Sequence, residues 1–370
     1  MGEPGYITNN CQYCGGGIEF PDHGVGAEIE CPHCARLIRL VGPTDTKAPT
    51  PCVTEPSPGT RLSPAELLLL SKFLSPSYIG SLGSFEPWNA VLEAHPSVVI
   101  NGFLGAGLLE KVAPDLVFLL CSESSSNLKS LAKERSLPMS GTKPVLARRL
   151  AKADPEGIAR LFRDRMYLSC TPTGRGLAEE FLEAGVKAEQ QARDRSLAAL
   201  QQHQLEEACR VVASFEASRV FGRGLGINWQ KYDPSRDSEV LHLIFSQRLV
   251  RHEQFDGRAL DNIRVAAAMM HLWGTNNPKP YLEKSLNYDE VDWEVETRML
   301  LSRALGIVHL QEIKSAGIQR VRVLGSGSVG DCQVCRSDSE VVYPVAQAPV
   351  LPHVGCCCPN GCRCILVAEI

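Results

Sequence analysis

The sequence predicts a mainly α, multi-domain chain: a helical body that carries a short basic helix–loop–helix, flanked by two small β-rich modules built around cysteine. Three observations predict it. Apolar residues recur at helical spacing in segments of residues 63–317. Eleven of the fifteen cysteines fall in two terminal clusters, four within 11–34 and seven within 332–364. Seven Lys/Arg against one acid are gathered between residues 129 and 152, in a chain whose net charge is -4.

Composition sets the outer limits. A chain of 370 residues has room for two or three domains. Hydrophobic content of 44% and charged content of 22% are ordinary for globular proteins, so a sizeable core is expected. The pI of about 6.2 argues against a protein that coats nucleic acid. No apolar run reaches the length of a membrane span, and the N-terminus lacks the charged-then-apolar pattern of a secretion signal. A cytoplasmic protein with no membrane partner is expected. C-x-x-C clusters in such a chain point to metal sites rather than disulfides.

Residues 1–41 form the first module. Cys11-x2-Cys14 is followed, after sixteen intervening residues, by Cys31-x2-Cys34. Each pair can place two thiolates along one edge of a tetrahedron, and two such pairs close a Zn2+ site of four cysteines, a zinc ribbon. Gly15 to Gly17 supply the tight turn after the first pair. Ile18 to Phe20 and Ala27 to Glu30 read as a short hairpin, and His23 and His33 as bystanders. Residues 42–62 are a Pro- and Gly-rich, mostly extended linker.

Residues 63–175 read as helical. Ser63 followed by Pro64, Ala65 and Glu66 is a helix start with Leu67 to Leu70 and Phe73 behind it. Residues 98–121 carry Leu104, Leu108, Leu109, Val112, Leu116 and Leu119, broken by glycines. They are the expected core beneath the segment that follows.

That segment, residues 127–151, reads as two short helices joined by a stiff loop. Leu128, Leu131 and Ala132 fall at helical spacing and the helix breaks at Leu137-Pro138. Thr142 can cap a second helix, with Pro144 in its first turn and Val145, Leu146 and Leu150 facing the first. The cations are Lys129, Lys133, Arg135, Lys143, Arg148, Arg149 and Lys152, opposed by Glu134. Such a cluster beside the N–H groups of a helix start suits a phosphate backbone.

The segment resembles the SAP family, helix–loop–helix modules that bind double-stranded DNA with little sequence preference. The matching residues are Leu128, Lys129, Leu131, Leu137, Pro138, Ser140, Gly141, Thr142, Lys143, Leu146, Arg149 and Leu150. Ser136 replaces the usual glycine, at up to about 1 kcal/mol if the turn needs positive φ. Pro144-Val145 stands where an acid is common. The resemblance covers about a fifteenth of the chain. It implies DNA contact, with RNA as the alternative, through Lys129, Ser140, Gly141, Thr142, Lys143 and Arg149, to which the basic cluster itself adds Lys133 and Arg148 as expected contacts.

Residues 176–317 read as a helical body. A long helix carries Leu177, Phe181 and Leu182, then Leu197 to Phe215, with a polar middle at 187–196 that is exposed or interrupted. Residues 221–227 are a glycine-rich bend. Residues 237–252, 256–273 and 289–317 read as three helices whose Met and Trp residues belong to a core.

Residues 318–370 form the last module. Residues 319–324 alternate like a strand and run into Gly325, Gly327 and Gly330, a GxGxxG spacing. The dinucleotide fingerprint needs a helix next, whereas Cys332-x2-Cys335 follows, so nucleotide binding is rejected. Later come Cys356, Cys357, Cys358, Cys362 and Cys364, more thiols than one zinc takes. The expected ligands are Cys332, Cys335, Cys362 and one of Cys356 or Cys364, with His353 as a substitute. Two zinc sites are therefore expected in the chain. This module resembles the C-terminal zinc knuckle of Mu-type phage head-morphogenesis (minor head) proteins. Asp331, Cys332, Cys335, Tyr343, Ala348, Pro349, Leu351, Pro352, Cys362, Arg363 and Cys364 carry the likeness over about fifty residues.

The expected function is non-catalytic nucleic-acid binding, weakly sequence-specific, through the basic helix–loop–helix. The alternative is a bacterial, prophage-derived assembly protein whose zinc modules contact other proteins. No HExxH, P-loop or paired nucleophile and base is present, and all-cysteine zinc sites are usually closed and structural. A zinc deaminase would need a His-x-Glu before its C-x-x-C. The chain is not expected to be an enzyme.

Overall fold

The computed structural model describes residues 6–10, 17–30, 37–40, 62–82, 86–224, 226–283 and 291–369. The fold is mainly helical with small antiparallel sheets, and it divides into compact units Met1–Gly185 and Val186–Ile370. No helix among the described residues is long and apolar enough to cross a membrane.

In the first unit, β1 (Tyr6–Asn10) pairs antiparallel with β2 (Gly17–Pro21), and β3 (Glu28–Glu30) with β4 (Leu37–Arg39). The expected hairpin between residues 18–20 and 27–30 does not form, because each strand pairs across its neighbouring C-x-x-C segment instead. Ile18, Phe20 and Leu40 are buried. Cys11, Cys14, Cys31 and Cys34 lie outside the described residues, as does most of the 42–62 linker.

Then α1 (Pro64–Ser71) starts as its sequence dictates. Ser63 Oγ accepts from the Glu66 N–H, the Glu66 carboxylate accepts from the Ser63 N–H, and Pro64 opens the helix. There follow β5 (Ser77–Tyr78), α2 (Glu86–Leu92), α3 (Pro96–Gly105), β6 (Leu109–Val112), α4 (Leu116–Ser122), α5 (Ser125–Glu134), α6 (Lys143–Ala153), α7 (Pro155–Leu161), β7 (Tyr167–Cys170) and α8 (Pro172–Gln201). The antiparallel sheet β5-β7-β6 interrupts a region expected to be helical. Its strands have two to four residues, and β7 is buried throughout, so no alternation marks it.

Residues 98–121 serve two cores rather than one. Ile100, Phe103 and Leu109 pack with Leu69, Leu70, Phe73 and Leu168. Only the later part reaches the basic hairpin: Leu119 and Leu120 of α4 join Leu128, Ala132, Leu146, Leu150 and Ile158. The chain changes core along β6: Leu109 at its start belongs to the first core, and Val112 at its end packs on the second.

In the second unit, α9 (Leu205–Ser218), α10 (Ser235–Ser246), α11 (Gly257–Trp273) and α12 (Trp293–Ser315) enclose a core with the C-terminal part of α8. The polar stretch 187–196 is continuous helix: Ser196 is fully buried, accepting from Trp273 Nε1 at 3.1 Å. The break falls at His203, whose φ of 57° closes α8 while the Gln204 N–H bonds back to the Ala199 carbonyl. Met269, Trp273 and Trp293 are core residues.

The chain ends with β8 (Arg320–Leu324), α13 (Gln333–Asp338), β9 (Val342–Pro344) and β10 (Ile365–Ala368), in a sheet ordered β10-β8-β9. Val321, Val323 and Leu366 pack on Leu310 and Ile313 of α12. Gly306 of α12 allows the closest approach. A Cβ there would lie 1.9 Å from the Leu351 carbonyl oxygen.

Candidate metal centre and basic hairpin

The C-terminal cysteines converge from three stretches of chain. Cys332 is the N-cap of α13, so Cys335 lies within its first turn. Cys356 and Cys358 are buried while Cys357 between them is exposed, and Cys362 and Cys364 lead into β10. The sulfurs of Cys332, Cys335, Cys356 and Cys358 all lie within 4.8 Å of one another, and so do those of Cys335, Cys362 and Cys364. Individual separations are 3.6 Å for Cys335–Cys356, 3.7 Å for Cys335–Cys358 and Cys335–Cys362, and 4.0 Å for Cys332–Cys356. Thiolates at about 2.3 Å from a tetrahedral zinc stand about 3.8 Å apart. The donor set therefore fits a metal ion.

Electrostatics point the same way. Burial opposes ionisation of Cys332, but backbone N–H groups of Cys335 and Cys357 and the neighbouring thiols outweigh it and bring its pKa to about 6. The hydrogen bond with Cys356 lowers Cys362. Burial raises Cys335, Cys358 and Cys364; the hydrogen bond with Cys362, then burial, raises Cys356. The protein alone stabilises few of these thiolates, since like charges packed this closely repel. A cation is the natural counter-charge.

Helix α12 and the turn before α11 form the floor of the cluster. Leu249, Val295 and Met299 pack against it, and the Cys362 N–H donates to Met299 Sδ at 2.9 Å. Arg251 donates to the Cys358 carbonyl at 3.1 Å and to the buried Glu296 carboxylate at 2.5 Å, which also faces His252 at 3.2 Å. This ion group fixes the 356–358 loop from behind.

Of the sequence-predicted ligands, Cys332, Cys335, Cys356, Cys362 and Cys364 all join the cluster. Cys358 was missed. Its signal was present, since alternate residues of a Cys-Cys-Cys run can share a side. His353 stays out: its Nε2 pairs with Asp338 at 3.3 Å, and burial lowers its pKa.

The glycine-rich loop after β8 turns onto an acid. Asp331 accepts from Ser326 Oγ at 2.7 Å and from the Ser328 N–H at 3.2 Å. An entering phosphate would meet this carboxylate.

The basic segment does fold as a helix–loop–helix. Helix α5 ends in a Schellman motif, with the Leu137 N–H on the Ala132 carbonyl and the Ser136 N–H on that of Lys133. Ser136 occupies the left-handed position at φ 51°. Gly141 sits at φ 117°, and Thr142 precedes α6 without a side-chain cap bond, contrary to expectation. Val145 is exposed rather than turned toward α5. Arg149 is half-buried: its guanidinium donates to the Pro138 carbonyl and, at 3.0 Å, to that of Ser140. Arg135 pairs with Asp154 at 2.8 Å, and Lys143 lies close enough to Glu123 to help lower its pKa. Lys129, Lys133, Ser140, Gly141, Thr142, Arg148 and Lys152 are exposed. Among the described residues, Lys129, Lys133, Arg148 and Lys152 form no ion pair.

No family model, curated protein or solved structure matches the chain.

Proposed function

We propose that the chain is a non-catalytic, zinc-containing protein that binds nucleic acid, DNA in the first place, through the basic hairpin. The observation that carries this is the set of four exposed, unpaired cations, Lys129 and Lys133 on α5 and Arg148 and Lys152 on α6. Each pair is spaced four residues apart and so shares one helix face. In a chain of net charge -4, a solvated cationic surface on so small a module favours a polyanionic partner. Backbone contacts alone carry no base readout, so recognition is weakly sequence-specific.

Zinc is the ion proposed for the C-terminal thiolates, because soft sulfur donors at tetrahedral spacing suit it. In this reading the metal holds the last module together, and a second zinc site lies at Cys11, Cys14, Cys31 and Cys34.

The test is binding of the full chain to a labelled DNA duplex at two salt concentrations. Four phosphate contacts give a log–log salt slope near -3.6, so affinity falls on the order of 100-fold between 50 and 200 mM salt. The variant Lys129→Glu/Arg148→Glu is preferred over Arg149 changes, because Arg149 ties the loop. Loss of binding in that variant is expected. Binding of equal strength in wild type and variant, or none at low salt, overturns the proposal. The latter leaves protein contacts through the cysteine modules as the remaining reading.

A further inference from the structure

The C-terminal thiols outnumber what one ion needs, and none of the six clustered ones stands apart from the rest. They form two overlapping groups. Cys335 belongs to both, with partners Cys332, Cys356 and Cys358 on one side and Cys362 and Cys364 on the other. Cys356 is 3.6 Å from Cys335 and also within hydrogen-bonding reach of Cys362. Cys335 is thus common to both groups, and Cys356 links the first group to Cys362 of the second.

We propose that this cluster is a two-metal centre in which six thiolates hold two divalent ions of the zinc class, with Cys335 and Cys356 shared between them. Each ion then has four sulfurs: two bridging, and two from its own outer pair. The proposal rests on the reading that the cluster binds metal, and it goes beyond the single C-terminal zinc expected from the sequence.

Charge favours the second ion. Once one ion is held by four thiolates, Cys362 and Cys364 remain as thiols beside an anionic centre. A second divalent ion brings two positive charges while those two thiols release two protons to solvent, so the net charge of the cluster does not change. No bond is oxidised or reduced. Bridging also relieves the crowding at Cys335 and Cys356, where each shared sulfur contacts two cations instead of several thiolates. An iron–sulfur cube is a poorer fit, since each of its thiolates caps a different iron, whereas these sulfurs stand one tetrahedral edge apart.

The experiment counts zinc per full-length chain by native mass spectrometry and elemental analysis, as differences from wild type, so that ions held elsewhere cancel. Cys362→Ser/Cys364→Ser is expected to lose one ion, because Cys332, Cys335, Cys356 and Cys358 remain. Cys332→Ser/Cys358→Ser is also expected to lose one, because Cys335, Cys356, Cys362 and Cys364 remain. If only one of these variants loses an ion, the centre is mononuclear and the proposal is overturned. If neither does, the cluster holds no more than one ion and the proposal is overturned; an unchanged zinc count in a variant with all six cysteines replaced by serine would overturn metal binding by the cluster as well. A variant that unfolds could lose both ions, so cadmium-113 NMR of the wild-type chain provides an independent reading. Two signals split by mutual coupling through a shared sulfur support the proposal, and unsplit signals overturn it.

Discussion

Replacing Ser136 by glycine should stabilise the basic hairpin, although it removes atoms and adds no contact. Ser136 is the residue after the end of α5, in the left-handed conformation at φ 51° that the Schellman motif requires. A left-handed conformation costs a residue with a Cβ about 1–2 kcal/mol. Glycine avoids that but loses about 0.5–1 kcal/mol more chain entropy on folding. Ser136 is exposed, and its hydroxyl makes no hydrogen bond among the described residues, so nothing else is forfeited. The balance is about 0.5–1 kcal/mol in favour of Ser136→Gly. Hydrogen exchange of the α5 and α6 amides measures this locally, without assuming that the whole chain unfolds in one step. Exchange should slow by roughly two- to five-fold, since 1.4 kcal/mol is a factor of ten. Gly141→Ala is the control of opposite sign. At φ 117° its new Cβ would lie 3.1 Å from Val145 Cγ1, and exchange should accelerate. Unchanged or faster exchange in Ser136→Gly would refute the reasoning.

Two further outcomes follow from charge and metal. The Arg165 hydrogen bond, aided by Asn127, lowers the Glu123 carboxyl below its ordinary value of 4.5. The unfolded chain then binds the proton more readily, so this pair stabilises the fold above about pH 4.5, and its contribution disappears as pH falls through the depressed value. Arg165→Gln should lower the urea midpoint at pH 7, and its gap to wild type should narrow toward pH 3; a gap constant across that range would show that the ion pair contributes nothing. Chelation should release the constraint on residues 332–364, because an ion bound only to the folded state stabilises it by mass action. Added chelator should accelerate amide exchange in α13 and β10 while leaving α5 and α6 unchanged. Equal exchange in α13 and β10 with and without chelator would show that the metal is not structural.

Where helices begin was readable from single residues. Ser63 and Pro64 start α1 because a hydroxyl acceptor and a missing N–H suit the first turn, and the structure builds that box. Thr142 carried the same signal, yet its hydroxyl makes no cap bond. Where helices end was less readable. His203 and Ser136 take left-handed conformations that composition assigns to glycine, so the end of α8 at His203 carried no signal, and the polar stretch 187–196 left open whether the helix was interrupted there. The short sheet β5-β7-β6 left no pattern, since a buried strand of four residues has no alternation and its partners come from distant sequence. The division of residues 98–121 between two cores was equally hidden, because apolar periodicity reports that a side chain is buried but not what buries it.

The same division holds at the candidate sites. Sequence alone determined the mainly helical fold, the basic helix–loop–helix, and the gathering of cysteines at the C-terminus, because charge and thiol count are additive properties of residues. Only the tertiary structure decided which cations remain available: Arg149 and Arg135 are drawn into the hairpin, while Lys129, Lys133, Arg148 and Lys152 stay in solvent. Only the tertiary structure brought Cys358 into the cluster and left Cys357 and His353 outside it. Coordination is a matter of distance in space. Residues as far apart in sequence as 332 and 364 meet there because α12 and the β8–β10 pairing fix where the last loop must lie.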